Sequence, residues 1–248
     1  MKVVFLGTNG WYTTPTGNTP CILVNSKEYY VIFDAGNGIY KIDEHIDTDK
    51  PIYLFLSHFH HDHISGLHIL SKFTFKQGIN IFSRKGGKNI LNSFINHPFT
   101  PPIKDLPLKV SLFELPDESD KIPFKIEYFE MKHGDPVFGY RLYLDGKIIS
   151  YSGDTAINEN SLPLAKDADL LIHESSYLPE TVNETNWGHT YPNQAATLAK
   201  KANAKKLALV HFDANIYRTF KQRQKAAKVA KKIFKNSFAA KDDIILEL

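Results

Sequence analysis

The chain has almost no cysteine. Cys21 is the only thiol among 248 residues, which excludes an intramolecular disulfide and any metal site built from several thiolates. A reducing compartment, the cytoplasm, is the simplest setting for such a chain. Long apolar runs are missing too. No segment approaches the ~18 residues of a membrane span, so no membrane contact is expected. The opening Met1-Lys2-Val3-Val4-Phe5-Leu6-Gly7 turns polar at Thr8-Asn9-Gly10, too early for the apolar stretch of a signal peptide, and reads as a first strand. Charge of either sign is not in excess. The 30 basic and 27 acidic side chains leave a net +3, which neither demands nor forbids a polyanionic partner. What is present is ordinary globular material: 42% hydrophobic and 12% aromatic residues, enough for a substantial core.

Short apolar runs separated by Gly, Asn, Pro and Ser predict strands at Val3–Leu6, Cys21–Val24, Tyr29–Phe33 and Tyr53–Leu56. Apolar spacing predicts a helix leaving residue 64 and a second over Gly86–Asn96. Residues 97–123, rich in proline, read as loops with one strand near Val110–Leu115. Strands return at Phe124–Phe129, Gly139–Leu144 and Lys147–Tyr151, the last two joined by the hairpin signal Asp145-Gly146. A buried strand at Asp169–His173, a helix at Asn193–Ala202, a strand at Leu207–His211, a long helix at Thr219–Phe234 and a closing strand at Ile244–Leu246 complete the reading. Two strand-rich blocks, each followed by helices and with no linker between them, predict an α/β four-layer αββα sandwich over 1–248 as one domain.

The chemistry concentrates in Ser57-His58-Phe59-His60-His61-Asp62-His63, directly after the apolar run Ile52–Leu56. An apolar strand that ends in such a cluster places the ligands in a loop at the mouth of a buried sheet. Imidazole suits zinc and other borderline metals, and Asp62 adds an anionic oxygen. Three further residues end predicted strands beside small or turn-forming neighbours: His133, Asp154 and His211. Together they make a set of five His and two Asp, enough for two cations that share one carboxylate.

With these residues in place the chain resembles the metallo-β-lactamase superfamily of hydrolases. The signature is His-x-His-x-Asp-His followed by a distant His, Asp and His. The resemblance implies that His58, His60 and His133 hold one metal, that Asp62, His63 and His211 hold the other, and that Asp154 bridges them. It implies two divalent ions per chain, zinc first, with manganese or iron also compatible. Asp34, in Phe33-Asp34-Ala35-Gly36, matches the family's bracing Asp, which orients a ligand without ligating. Within the superfamily the likeness is to ribonuclease Z and its relatives. It rests on Phe5-Leu6-Gly7-Thr8, Phe138-Gly139-Tyr140-Arg141, Ser152-Gly153-Asp154-Thr155, His173-Glu174-Ser175-Ser176, Gly188-His189-Thr190 and His211-Phe212. Carried over, His189 is the acid that protonates a leaving oxygen, and Glu174 fixes its tautomer. Asp62 gains a second role, orienting or deprotonating the attacking water.

Two departures redirect the substrate. Only 21 positions separate His133 from Asp154 (154 − 133), which leaves no room for the arm with which ribonuclease Z grips transfer RNA. Gly17-Asn18-Thr19-Pro20 stands where the family usually has an Arg and small residues. The expectation is therefore a dinuclear zinc phosphodiesterase acting on small, cyclic or RNA-derived phosphodiesters. The alternatives are a lactone or thioester hydrolase of the same fold, or a transfer-RNA 3′-processing endonuclease without the arm. A diiron oxidoreductase is disfavoured by His60, where such relatives tend to carry Glu. RNA stays open as a partner, and relatives of this type are often homodimers. Three weaker features remain. The helix at Thr219–Phe234 is basic, read as a solvated face that includes Arg223. Arg84, Lys85 and Lys88 around Gly86-Gly87 offer a phosphate site at a helix start. Trp11, Tyr12 and Trp187 fall near active-site loops, where they would line a pocket or stack on a base.

Overall fold

The computed structural model describes residues 1–179 and 187–248. A seven-stranded sheet runs in the order Ile244–Glu247, Lys2–Gly7, Cys21–Asn25, Tyr30–Phe33, Ile52–Phe55, Ile79–Arg84, Val110–Leu115. A six-stranded sheet runs Ser237–Ala239, Leu207–Val210, Leu170–Glu174, Lys147–Tyr151, Val137–Leu144, Ile126–Met131. The expected layering is present. Val3 and Phe5 point into a core shared with Tyr140, Leu142, Ile149, Tyr151 and Ile172 of the other sheet. Val4 and Leu6, one residue on, point outward with Ile39, Leu67 and Leu70 under the flanking helices. Alternation along a strand buried on both faces is why these strands read as continuous apolar runs. On the far side, Leu171, Leu207 and Leu209 pack against Ala195, Ala199, Ala226 and Ala230 of the helices Pro192–Lys201 and Phe220–Ile233.

The interval after His133 folds as the short hairpin expected. Lys147 pairs with Leu144, and the turn residues Asp145 and Gly146 have φ of 52° and 71°, the left-handed pair that a two-residue turn requires. The helix leaving the histidine cluster is less regular than predicted: an α-helical turn, His61–Ile64, then a 3₁₀ segment, Ser65–Lys72. The cause is a competing partner. Ala35 N–H donates to His63 O at 2.8 Å, and Gly66 N–H donates to Ala35 O at 2.8 Å, which takes both groups out of the helical ladder.

One of the weaker readings is overturned and another gains no support. At Gly86-Gly87, acidic side chains of the same chain engage Lys85 and Lys88. Glu114 accepts from Lys88 N–H at 2.9 Å, Lys88 Nζ pairs with Glu118 at 2.6 Å, and Lys85 pairs with Asp117 at 3.3 Å. Arg223 is not on the solvated face of its helix. It is 1% exposed, stacks on the Phe212 ring at 4.6 Å, and donates to Thr8 Oγ1 at 2.9 Å, Thr16 Oγ1 at 3.2 Å and Asn9 Oδ1. Burial pushes the guanidinium down to about 10, with Asp242 opposing. Arg223→Ala would take one donor from each of these buried oxygens, at about 1 kcal/mol each. A fall in Tm of roughly 5–15 °C is expected, and a melting curve within 2 °C of wild type would refute this account.

Candidate functional site

The candidate residues come from the C-terminal ends of strands in both sheets. His58 and His60 follow Ile52–Phe55, while Asp62 and His63 sit in the helical turn His61–Ile64. His133 follows Ile126–Met131, Asp154 follows Lys147–Tyr151, and His211 follows Leu207–Val210. A small parallel pair, Asn9–Gly10 with Phe212–Asp213, seats the first loop beside His211. His211 has φ 52°, a left-handed backbone at a strand end. A Cβ at Gly10 would lie 2.6 Å from His211 Nδ1, so the ring rests directly on that glycine.

All seven candidate ligands converge. Donor atoms of His58, His60, His133 and Asp154 lie within 4.8 Å of one another, and so do those of Asp62, His63 and His211. Asp154 touches both groups: Oδ1 is 3.3 Å from His63 Nε2, and Oδ2 is 3.2 Å from His211 Nε2 and 3.9 Å from His58 Nε2. His63 and His211 Nε2 face each other at 3.2 Å, and His133 Nε2 faces His60 Nδ1 at 3.4 Å.

The outer nitrogens are all engaged, which decides where the lone pairs point. His63 Nδ1–H donates to Asp34 Oδ2 at 2.7 Å. The same oxygen accepts the hydroxyls of Ser57 at 2.8 Å and Tyr151 at 2.6 Å. With its proton so committed, Ser57 Oγ accepts from His58 Nδ1–H at 3.0 Å. His60 Nε2–H donates to Asp135 at 2.7 Å, His133 Nδ1–H to Gly188 O at 3.2 Å, and His211 Nδ1–H to Ser176 Oγ at 2.9 Å. Each ring thus turns its second nitrogen inward. His58 Nε2 and Asp154 Oδ1 are buried with no hydrogen-bond partner, a costly arrangement unless something binds them. Burial and the neighbouring His63 push the His58 pKa well below its ordinary value, so its lone pair is available. Asp154 stays ionised because His211 and His63 outweigh the burial that opposes its charge. Nitrogen and carboxylate donors with orphaned inward atoms fit a divalent cation.

Next to this cluster stands Glu174, fully buried at the end of its strand. It accepts from His189 Nδ1–H at 2.8 Å and from the amides of Thr155 at 2.7 Å and Thr190 at 3.1 Å. Ser176 Oγ donates to it at 3.0 Å, linking it to His211. Burial opposes charge on His189, but the Glu174 carboxylate outweighs it and raises the imidazole to about 9. His189 also lies within 4.8 Å of donor atoms of Asp154 and His211.

The cluster opens into a pocket of about 650 Å³ lined by Trp11, Tyr12, His61, Tyr177, Trp187 and Asp213 along with the site residues. A larger hollow of about 870 Å³ near Ile95 and Leu106 has one histidine and no carboxylate in its lining, and carries no comparable chemistry. Sequence reasoning missed Asp135, Ser176 and the Trp11 amide, which donates to Asp62 Oδ2 at 2.7 Å. Asp135 had a signal, standing two residues after His133. Ser176 lay inside a quoted motif without a role, and the Trp11 amide left no trace in the sequence. Among the described residues no helix is long and apolar enough to cross a membrane.

Known proteins place this arrangement in a family. The beta-lactamase superfamily domain matches residues 29–212. Ribonuclease Z of Sulfurisphaera tokodaii is 28% identical, over 97% of this chain and 96% of that protein. Their alignment spans 287 positions against the 248 residues here, so that relative carries insertions absent from this chain. The crystal structure of the metallo-beta-lactamase fold protein YhfI from Bacillus subtilis superposes with a TM-score of 0.79 at 23% identity, covering 99% of both chains. That of human tRNase Z, short form, gives 0.78 at 23%, covering 100% of this chain and 99% of that one. The chain belongs to the beta-lactamase superfamily and is a hydrolase of the metallo-β-lactamase fold.

Proposed function

We propose that the protein is a dinuclear metal phosphodiesterase acting on small or short-nucleotide phosphodiesters, with zinc the preferred ion. The observation that carries this reading is the Glu174–His189 pair set against a cluster of inward-pointing donors. His58, His60 and His133 would hold one cation and Asp62, His63 and His211 the other, with Asp154 shared. Cations there would supply Lewis acidity toward phosphoryl oxygens and acidify the attacking water.

The chain's own groups then divide the proton transfers. Asp62, steadied by the Trp11 amide, orients the water and takes its proton as the new P–O bond forms. His189 gives the proton on its free nitrogen to the leaving oxygen as the old P–O bond breaks. Glu174 fixes the tautomer and keeps that imidazole protonated near neutral pH. A carboxylate-backed proton donor suits an alkoxide leaving group and the spreading charge of a phosphoryl transition state. A thioester expels a thiolate, a weaker base than an alkoxide, and needs this pair less.

The short hairpin between Val137–Leu144 and Lys147–Tyr151 and the insertions that the Sulfurisphaera relative carries beyond this chain support a substrate smaller than transfer RNA. The test is a hydrolysis panel on metal-loaded protein: bis-p-nitrophenyl phosphate, a 2′,3′-cyclic nucleotide, a precursor transfer RNA, a lactone and a thioester. A small diester should have the largest kcat/KM. Faster turnover of the lactone or thioester would sink the phosphodiester reading, and preferred cleavage of the transfer RNA would overturn its substrate size.

A further inference from the structure

Both tryptophans of the chain, Trp11 and Trp187, line the pocket over the donor cluster. They remain 64% and 61% exposed, with Tyr12 beside them at 41%. Tyr12 packs edge-on against Trp11, with ring centroids 5.3 Å apart and planes at 70°. Trp11 is held with φ at 75°, a left-handed backbone that costs a bulky residue about 1–2 kcal/mol. Its amide is tied to Asp62, and the amide of Tyr12 donates to Gly10 O at 3.0 Å. A strained, anchored backbone therefore presents a large ring at the mouth of the site.

The charge of the lining points the same way. Among the described residues no Lys or Arg lines this pocket, and Asp213 adds a negative group at its edge. Grooves that track a polynucleotide need a cationic path for the backbone, and this wall has none. A volume of about 650 Å³ suits a ligand of one or two nucleotides.

We propose that Trp11 and Trp187 are specificity-determining residues that stack on a nucleobase, so that the preferred substrate is a singly charged phosphodiester carrying a nucleoside. The proposal rests on the phosphodiester reading above and adds the identity of the group beside the phosphate. Aromatic stacking accepts any base, so discrimination should fall between nucleoside and non-nucleoside esters and less between bases.

Two substrates isolate the effect. Thymidine 5′-(p-nitrophenyl phosphate) and methyl p-nitrophenyl phosphate share a leaving group and a single negative charge, and differ only in the nucleoside. The kcat/KM ratio should favour the thymidine ester by about 10-fold or more. That ratio should fall in Trp11→Ala and in Trp187→Ala, and approach unity in the double variant. A second readout needs no turnover. With no other tryptophan present, quenching of intrinsic fluorescence by AMP and not by ribose 5-phosphate reports stacking at these rings directly. Equal kcat/KM for the two diesters, or a ratio unchanged in the double variant, removes this inference and leaves the phosphodiester reading standing. If neither diester turns over while a lactone or thioester does, both fall together.

Discussion

Asp154→Ala should bind fewer than two metal ions per chain and lose diester turnover by about 10³-fold. Its two oxygens lie 3.3 Å from His63 and 3.2 Å from His211, and the second is also 3.9 Å from His58. Among the described residues, Asp154 is the carboxylate that clusters both with His58, His60 and His133 and with His211. Removing it deletes the shared anion and leaves Asp62 as the one carboxylate among the proposed ligands to offset two positive ions, an electrostatic loss of the size seen when one essential charged or dipolar group is taken from a reactive centre. Asp154→Asn keeps the shape and one donor oxygen while removing the charge and the second donor, so it should also bind fewer than two ions. Metal analysis after dialysis is the deciding measurement. Two ions per chain in Asp154→Ala would refute the bridging assignment whatever the activity does.

His189→Ala should keep both ions and lose about 10²-fold or more in kcat on a dinucleotide or cyclic nucleotide. The same change should cost much less on a p-nitrophenyl ester. A proton donor matters in proportion to the basicity of the leaving oxygen, and p-nitrophenolate departs without help. This dependence separates two roles that the geometry alone permits. His189 lies as close to Asp154 and His211 as a ligand would. A ligand's loss would lower metal content and slow every substrate alike. A proton donor's loss leaves metal content intact and grades with the leaving group. Uniform loss across leaving groups would rule out the acid role.

Much of the fold was legible because its strands are short apolar runs bounded by turn chemistry. Lys147–Tyr151 and Val110–Leu115 are found at the predicted residues, and the Asp145-Gly146 turn forms as its residue types dictate. What was missed is held by distant partners. Asn9–Gly10 exists as a strand only because Phe212–Asp213 lies beside it, and two residues carry no periodicity to read. Arg223 looked like one more cation on a basic helix. Its burial depends on Thr8, Asn9 and Thr16, some 200 positions earlier. The converging His and Asp residues were visible because the side chains a metal would demand stand in a recognisable order. The groups that aim those side chains were not, because a carboxylate such as Asp135 or a hydroxyl such as Ser176 becomes a partner only once the chain brings it to an imidazole.

Gly10 has a consequence for how tolerance to mutation would map across this protein. It bears no functional group, yet any side chain there would run into the ring of His211. In a saturation library screened for activity, position 10 should reject all replacements, alanine included, as firmly as a ligand position does. The rejection would come from excluded volume: the histidine would be displaced while remaining chemically intact. Such a scan alone would enrol Gly10 among the reactive residues. Only a second-site change that lets the imidazole shift and restores activity would reveal it as the floor on which the ring of His211 stands.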